Sequence, residues 1–257
     1  MSENILSEVR RDYIYRLIKN GDRIGGRKAD EYRDVSVETG IIARAEGSAR
    51  VKIGNTDVLA GIKAQIGEPF PDTPDKGVII TNAELVPLAS PSFEAGPPNE
   101  NGVELARVVD KGIRGSHAIE LEKLCLEEGG KVWIIFIDIH ILDHDGNLID
   151  ASALASMAAL TNTKLPYVRY EVGEEDEALL IKDTPLSTTC AEIGGEIVFD
   201  PCLDEEDASN IELTVTTNAN GDISGIQKRG AGKIPFGDIS QIVDSSRRLA
   251  GELRKKL

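Results

Sequence analysis

No stretch of this chain is apolar for long enough to cross a bilayer. The longest such run, residues 132–137, falls far short of the roughly 20 residues that a spanning helix requires. The pattern of a secretory leader is missing as well, because residues 2–19 mix charge with Leu6, Val9, Tyr13 and Leu17 and so predict an amphipathic surface helix. Cysteine is scarce: Cys125, Cys190 and Cys202 are three, an odd count without a CxxC pair. That excludes a disulfide framework and a zinc signature, and predicts buried thiols in a reducing compartment. Positive charge is also short, with 29 Lys and Arg against 44 Asp and Glu, a formal net charge of -15. A protein that coats nucleic acid through its bulk field is thereby excluded, and any polyanion must bind locally. The expectation is a soluble, cytoplasmic protein whose 257 residues, 40% of them apolar, bury a core as one large domain or two fused subdomains.

Against that acidic background, residues 104–114 stand out. Arg107, Lys111 and Arg114 are spaced i, i+4 and i+7, so on a helix they share one face, while Leu105, Val108 and Val109 occupy another and anchor it to a core. A row of cations held in this way can grip a chain of phosphates. The competing interpretation is a solvated stripe paired with nearby carboxylates.

Glycine and proline punctuate the rest. After a helix ending at Asn20 and Gly21, alternating segments at 35–39, 49–53 and 58–66 predict strands, with Gly54 and Asn55 making a tight connection. This is a meander, not a βαβ unit. A further strand is expected at 78–88, then a loop at 91–101 leading into the basic helix. Residues 132–142, almost wholly apolar, predict a central strand covered on both faces. Asp150 is expected to cap an alanine-rich helix at 151–160, and Pro166 to close the first half. Strands at 187–190, 197–199, 211–217 and 223–226 follow, and then an amphipathic helix over 239–253 ending in Arg254, Lys255 and Lys256. The predicted class is α+β, two subdomains of mixed sheets packed on helices. The divisions are a lead-in at 1–26, a first domain at 27–166, a connector at 167–185 and a second domain at 186–257.

Two other groupings carry less. Asp138, His140, Asp143, His144 and Asp145 crowd the end of the central strand, but strand alternation sends them to opposite faces, so no metal site is expected there. Gly194, Gly195, Gly230 and Gly232 lack the lysine signature of a phosphate loop and predict turns.

The segment Gly47-Ser48-Ala49-Arg50-Val51-Lys52-Ile53-Gly54-Asn55-Thr56-Asp57-Val58, with Arg27 and Arg33 upstream and the basic helix downstream, resembles the RNase PH family of phosphate-dependent 3′ to 5′ exoribonucleases. The resemblance spans nearly the whole chain. The amino-terminal helix, the Glu104-Leu105-Ala106-Arg107-Val108-Val109-Asp110 wording and the acidic segment at 204–207 are most similar to the non-catalytic RNase PH-like subunits of archaeal exosome rings. This implies an RNase PH-like fold, a trimer of heterodimers with a catalytic homologue around a channel, single-stranded RNA between unlike subunits, and RNA-binding cap proteins. It also implies that Arg107, Lys111 and Arg114 contact the RNA backbone. Lys111 stands where many relatives carry arginine, which keeps the charge and loses the bidentate fork.

Catalytic relatives carry a Ser/Thr-Arg pair after a glycine at the start of the alanine-rich helix, where it holds inorganic phosphate. Here Leu148 and Ile149 follow Gly146, and Asp150 at the same helix end is expected to repel phosphate. No catalytic residue, cofactor or metal is therefore expected. An autonomous phosphate-dependent exoribonuclease using the carboxylates Asp204, Glu205, Glu206, Asp207 and Glu212 is the alternative, although the acidic segment more readily forms a solvated loop. A ring spacer that makes no RNA contact is the third possibility.

Overall fold

A computed structural model describes residues 2–257, with side chains from Glu8 onward. The elements in chain order are α1 (Ser2–Lys19), β1 (Val35–Thr39), β2 (Gly47–Ile53), β3 (Thr56–Gly67), β4 (Val78–Leu85), α2 (Glu100–Gly115), β5 (Cys125–Glu127), β6 (Lys131–Asp143) and α3 (Leu148–Thr161). There follow the short pair β7 (Lys164–Leu165) and β8 (Glu177–Ala178), then β9 (Leu186–Ile193), β10 (Glu196–Phe199), α4 (Leu203–Ala208), β11 (Ile211–Thr217), β12 (Ile223–Arg229) and α5 (Phe236–Arg254). The first sheet runs β1-β2-β3-β6-β4, with β5 also on β6, and the second runs β10-β9-β11-β12. Only β4 and β6 are parallel; every other pairing in the two sheets is antiparallel, including the meander β1-β2-β3.

The helix α3 packs against β2 and β3 of the first sheet and β9 of the second, so it is a shared layer between the two halves. Every residue from Asp150 to Leu160 is buried. That position explains the alanines and serines, since a helix enclosed all round cannot carry bulky side chains if both sheets are to approach it. At Gly47 the approach is closest: a Cβ there would lie 2.4 Å from the Ala159 carbonyl oxygen. The largest fully buried side chains of the first half, among them Trp133, Ile135, Ile137, Ile139 and Leu154, meet in this layer.

Several expectations are corrected. The strand β6 is central, but burial alternates along it: Trp133, Ile135, Ile137, Ile139 and Ile141 are buried, and on the other face Val132 is buried at the strand's start while Ile134, Phe136, Asp138, His140 and Leu142 are half-exposed. Among the described residues, the helices packed on this sheet, α2 and α3, lie together on its buried side. The cap of α3 is Asn147, not Asp150, which lies inside the first turn. In α1 the buried residues are Ile14 and Ile18, whereas Val9 and Tyr13 are 63% and 60% exposed and Leu17 is half-buried; Leu6 lies outside the described side chains. Among the described side chains of α1, it is Ile14 and Ile18 that pack on Ala191, Ile193, Val198 and Ala208, a face offset from the one the spacing predicts. The acidic segment is the helix α4 rather than a loop, with Glu205 folded back to accept from the Cys202 amide (2.9 Å). Cys190 and Cys202 are buried, and Cys125 is half-buried.

Candidate functional site

The basic helix α2 begins with Asn99, whose side-chain oxygen accepts from the Gly102 amide (3.0 Å). Leu105, Val108, Val109 and Ile113 are buried along one stripe, as the spacing predicts. Arg107 and Lys111 are exposed and have no hydrogen-bond or ion-pair partner among the described residues. They border an open groove of about 560 Å³ with Asn99, Glu100, Glu104 and Gln227. Arg114 differs: its Nε donates to Asp110 (2.7 Å) and its Nη2 to the Ile79 carbonyl oxygen of β4. The three-cation row is thus two free cations and one that clamps the helix to the sheet, with Nη1 its remaining donor.

A second feature lies where α3 begins. Gly146 and Asn147 both adopt left-handed backbone, φ +81° and φ +54°, and turn the chain sharply out of β6. A Cβ on Gly146 would fall 2.5 Å from the Cys202 carbonyl carbon, so the position needs glycine for conformation and for space. Leu148 and Ile149 face a cavity of about 270 Å³ shared with Phe93, Glu104, Leu105, His144, Glu206, Asp207, Glu212 and Arg229. The backbone amide of Asn147 donates to Glu206 Oε1 (2.6 Å). A helix-terminal donor suited to a phosphate oxygen is therefore occupied by a carboxylate. Asp150, expected to repel phosphate, does not line the cavity; it is buried behind it, bonded to Tyr32 (2.6 Å), to the Thr189 amide and hydroxyl (both 2.8 Å) and to Asn147 (2.9 Å). Its burial raises its pKa to about 6 despite those donors.

The electrostatics follow from burial. Desolvation and the neighbouring Glu212 push Glu206 up to about 8, and desolvation raises Glu212 also. Arg229 stands only 3.6 Å from Glu212 and is the one cation lining the cavity. His144 stacks on Phe93 at 5.2 Å between centroids, and burial lowers its pKa, which leaves the imidazole neutral at pH 7. A cavity with an apolar wall and four carboxyl groups against one arginine repels inorganic phosphate. Asp138 and His140 lie on the outer face of β6, away from His144, so the crowd of acids and histidines is dispersed.

The third feature was not legible as a unit. Arg33 places Nε and Nη2 on Asp200 (2.9 and 2.8 Å), Arg27 reaches Asp200 (3.0 Å), and Arg23 forks onto Glu205 (2.9 and 2.7 Å). Burial would raise the pKa of Asp200, but Arg33 outweighs it and holds that carboxyl below its ordinary range; Glu205 is lowered against burial in the same way by Arg23. Arg27 and Arg33 therefore join the start of the first domain to the second half. Arg23 and Asp200 were missed. The only signal available was an excess of arginine just ahead of the first strand.

Residues 31–166 match the 3′ exoribonuclease family, domain 1, and residues 183–247 match its domain 2. The chain is 57% identical to "Exosome complex component Rrp42" of Methanocella arvoryzae, over 100% of this chain and 98% of that protein. It is 50% identical to the protein of the same name from Archaeoglobus fulgidus, over 100% and 98%. Among solved structures, it is similar to a chain of "archaeoglobus fulgidus exosome with RNA bound to the active site", with a TM-score of 0.95 at 50% identity, covering 98% of this chain and 99% of that one. It is also similar to a chain of "Archaeal exosome core", with a TM-score of 0.92 at 47% identity, covering 100% and 99%. No helix among the described residues is long and apolar enough to cross a membrane.

Proposed function

The chain belongs to the RNase PH family of 3′ exoribonucleases, and from that premise we propose that it is the non-catalytic subunit of an archaeal exosome ring. The observation that carries this reading is the cavity at the start of α3. Phosphorolysis needs a fixed cation and free donors to hold inorganic phosphate in line with the terminal phosphodiester. Here Leu148 and Ile149 line the wall, Glu206 takes the Asn147 amide, and Arg229 faces Glu212. The subunit instead completes the active site of a catalytic RNase PH-like homologue, in a trimer of heterodimers that receives single-stranded RNA from RNA-binding cap proteins. Arg107 and Lys111 contact the RNA backbone with their free charges, and Arg114 adds its remaining Nη1. Its working compartment is the cytoplasm, where thiols such as Cys190 and Cys202 persist.

The test is phosphate-dependent release of nucleoside diphosphates from single-stranded RNA. The purified chain alone should release none, and mixing with the catalytic homologue should give a six-subunit particle with activity. Release by the chain alone, lost on Glu206→Gln or Glu212→Gln, would establish the autonomous enzyme instead.

A further inference from the structure

Between Asp222 and Asp238 the chain carries Lys228, Arg229 and Lys233 and no carboxylate, an exception in a protein of net charge -15. The segment is β12 and the loop that leads to α5. That loop is built rather than loose: Gly230 takes a left-handed φ of +86°, the Gly232 amide donates to the Asn210 carbonyl oxygen (3.1 Å), and Ile234 packs against the core of the second half. Its outward side chains are unspent. Lys233 is exposed and has no side-chain partner among the described residues, and Lys228 Nζ meets only the uncharged Gly230 carbonyl oxygen (2.7 Å). Phe236, at 89%, is the most exposed large apolar side chain among the described residues. Arg229 differs, because Glu212 stands 3.6 Å from it and answers its charge.

Exposed cations beside a bare aromatic ring suit a single strand of nucleic acid, whose phosphates pair with the cations while an unpaired base lies on the ring. A duplex hides its base faces. An acidic protein surface would answer the charge as well, but the segment adjoins the groove of α2: Gln227 borders that groove with Arg107 and Lys111, and its Nε2 is fixed there on Glu104 (3.1 Å). Lys228 follows directly on the opposite face of β12. Since β12 is the last strand of its sheet, a flexible strand can pass around it from one face to the other. We propose that residues 228–236 are a second contact for single-stranded RNA, with Lys228 and Lys233 on its phosphates and Phe236 stacked on a base. The proposal rests on the RNA-binding reading of α2 and extends the bound strand from there to the start of α5.

The experiment is fluorescence anisotropy of the full chain with a labelled oligouridylate of about 20 nucleotides, and with an abasic strand of the same length, at several salt concentrations. Lys228→Glu with Lys233→Glu should weaken binding about tenfold or more and flatten the salt dependence by roughly one to two units of slope. Phe236→Ala should weaken binding of the oligouridylate about fivefold or more without changing the slope, Phe236→Trp should restore it, and neither should alter binding of the abasic strand. Arg44→Glu with Lys131→Glu, an equal change of charge at exposed sites of the first half, should leave the slope unchanged. Wild-type affinity in both the charge-reversed variant and Phe236→Ala, while Arg107→Glu with Lys111→Glu still weakens binding, would overturn this contact and leave that of α2 standing. The reverse pattern would uphold it and remove the α2 reading. No binding by the wild-type chain at low salt would overturn both. An equal loss on the abasic strand in Phe236→Ala would overturn the stacking, and loss of assembly with the catalytic homologue without loss of RNA binding would assign the segment to a protein neighbour instead.

Discussion

Replacing Asp200 with alanine is expected to cost more stability than replacing any one of the exposed charges on α2. The carboxylate is fully buried and accepts from Arg27 Nη1 (3.0 Å), the Arg33 amide (2.8 Å), Arg33 Nε (2.9 Å), Arg33 Nη2 (2.8 Å) and Asn147 Nδ2 (2.7 Å). The side chains of Arg27 and Arg33 are only 11% and 10% exposed, so alanine would strand two guanidinium groups with little water to replace the lost partner. Breaking one side of such a buried network costs about 3–5 kcal/mol. Total stabilities of natural domains are about 5–15 kcal/mol, so the variant should lose roughly a fifth or more. With a urea slope near the upper end of ~1–3 kcal/mol per molar, the midpoint should fall by about 1–2 M. The pH dependence has a definite sign. Asp200 has a folded pKa below its unfolded one, so its contribution is present above the unfolded value and is lost as pH falls through the folded one. The gap between wild type and Asp200→Ala, measured by urea unfolding followed by circular dichroism, should be widest near neutral pH and narrow in acid. A loss below about 1 kcal/mol at pH 7, with an unchanged slope, would show that the cluster does not join the halves.

Other substitutions separate binding from folding. Arg107→Glu with Lys111→Glu in the assembled ring should weaken RNA binding whatever the sequence and flatten its salt dependence by about one unit of slope per lost phosphate contact, with urea stability unchanged; equal affinities at every salt concentration would reduce the helix to a solvated surface. Arg114→Gln should instead lower stability by about 1–2 kcal/mol, because it releases the clamp on Asp110 and Ile79 from a partly exposed site; a thermal unfolding curve identical to wild type would contradict that role. Gly146→Ala should cost about 2–4 kcal/mol, from a positive φ and a Cβ driven into the Cys202 backbone, and a well-folded variant of unchanged midpoint would show that this turn can yield.

Much of the architecture was readable because it rests on short-range rules. The hairpin at Gly54 and Asn55, the alternation through β3 and the buried stripe of α2 each follow from side-chain periodicity and turn chemistry within a few residues. The errors share one cause, which is that burial is assigned by partners from distant parts of the chain. β6 looked enclosed because its composition is apolar throughout, yet from Ile134 to Leu142 its outer face is only half-buried among the described residues. The face of α1 was misplaced because, among its described side chains, Ile14 and Ile18 are the ones buried against the second sheet. The acidic segment looked solvated because the arginine that neutralises Glu205 is Arg23, 182 residues away.

The sequence by itself determined the α+β class and the order of the main strands and helices, which are properties of residue type and local spacing. The family resemblance added the expectation that Leu148 and Ile149 stand where catalytic relatives carry a phosphate-binding pair. Tertiary structure decided which charges are free. Among the described residues Arg107 and Lys111 have no partner, Arg114 is tied to β4, and Arg23, Arg27 and Arg33 are consumed in a buried junction with Asp200 and Glu205. It also showed that Glu206, rather than Asp150, occupies the helix-terminal amide at the cavity. The physical reason is that a charge is neutralised, desolvated or shifted in pKa by what lies within a few ångströms of it in space, and those neighbours are brought there only by the packing of two sheets around α3.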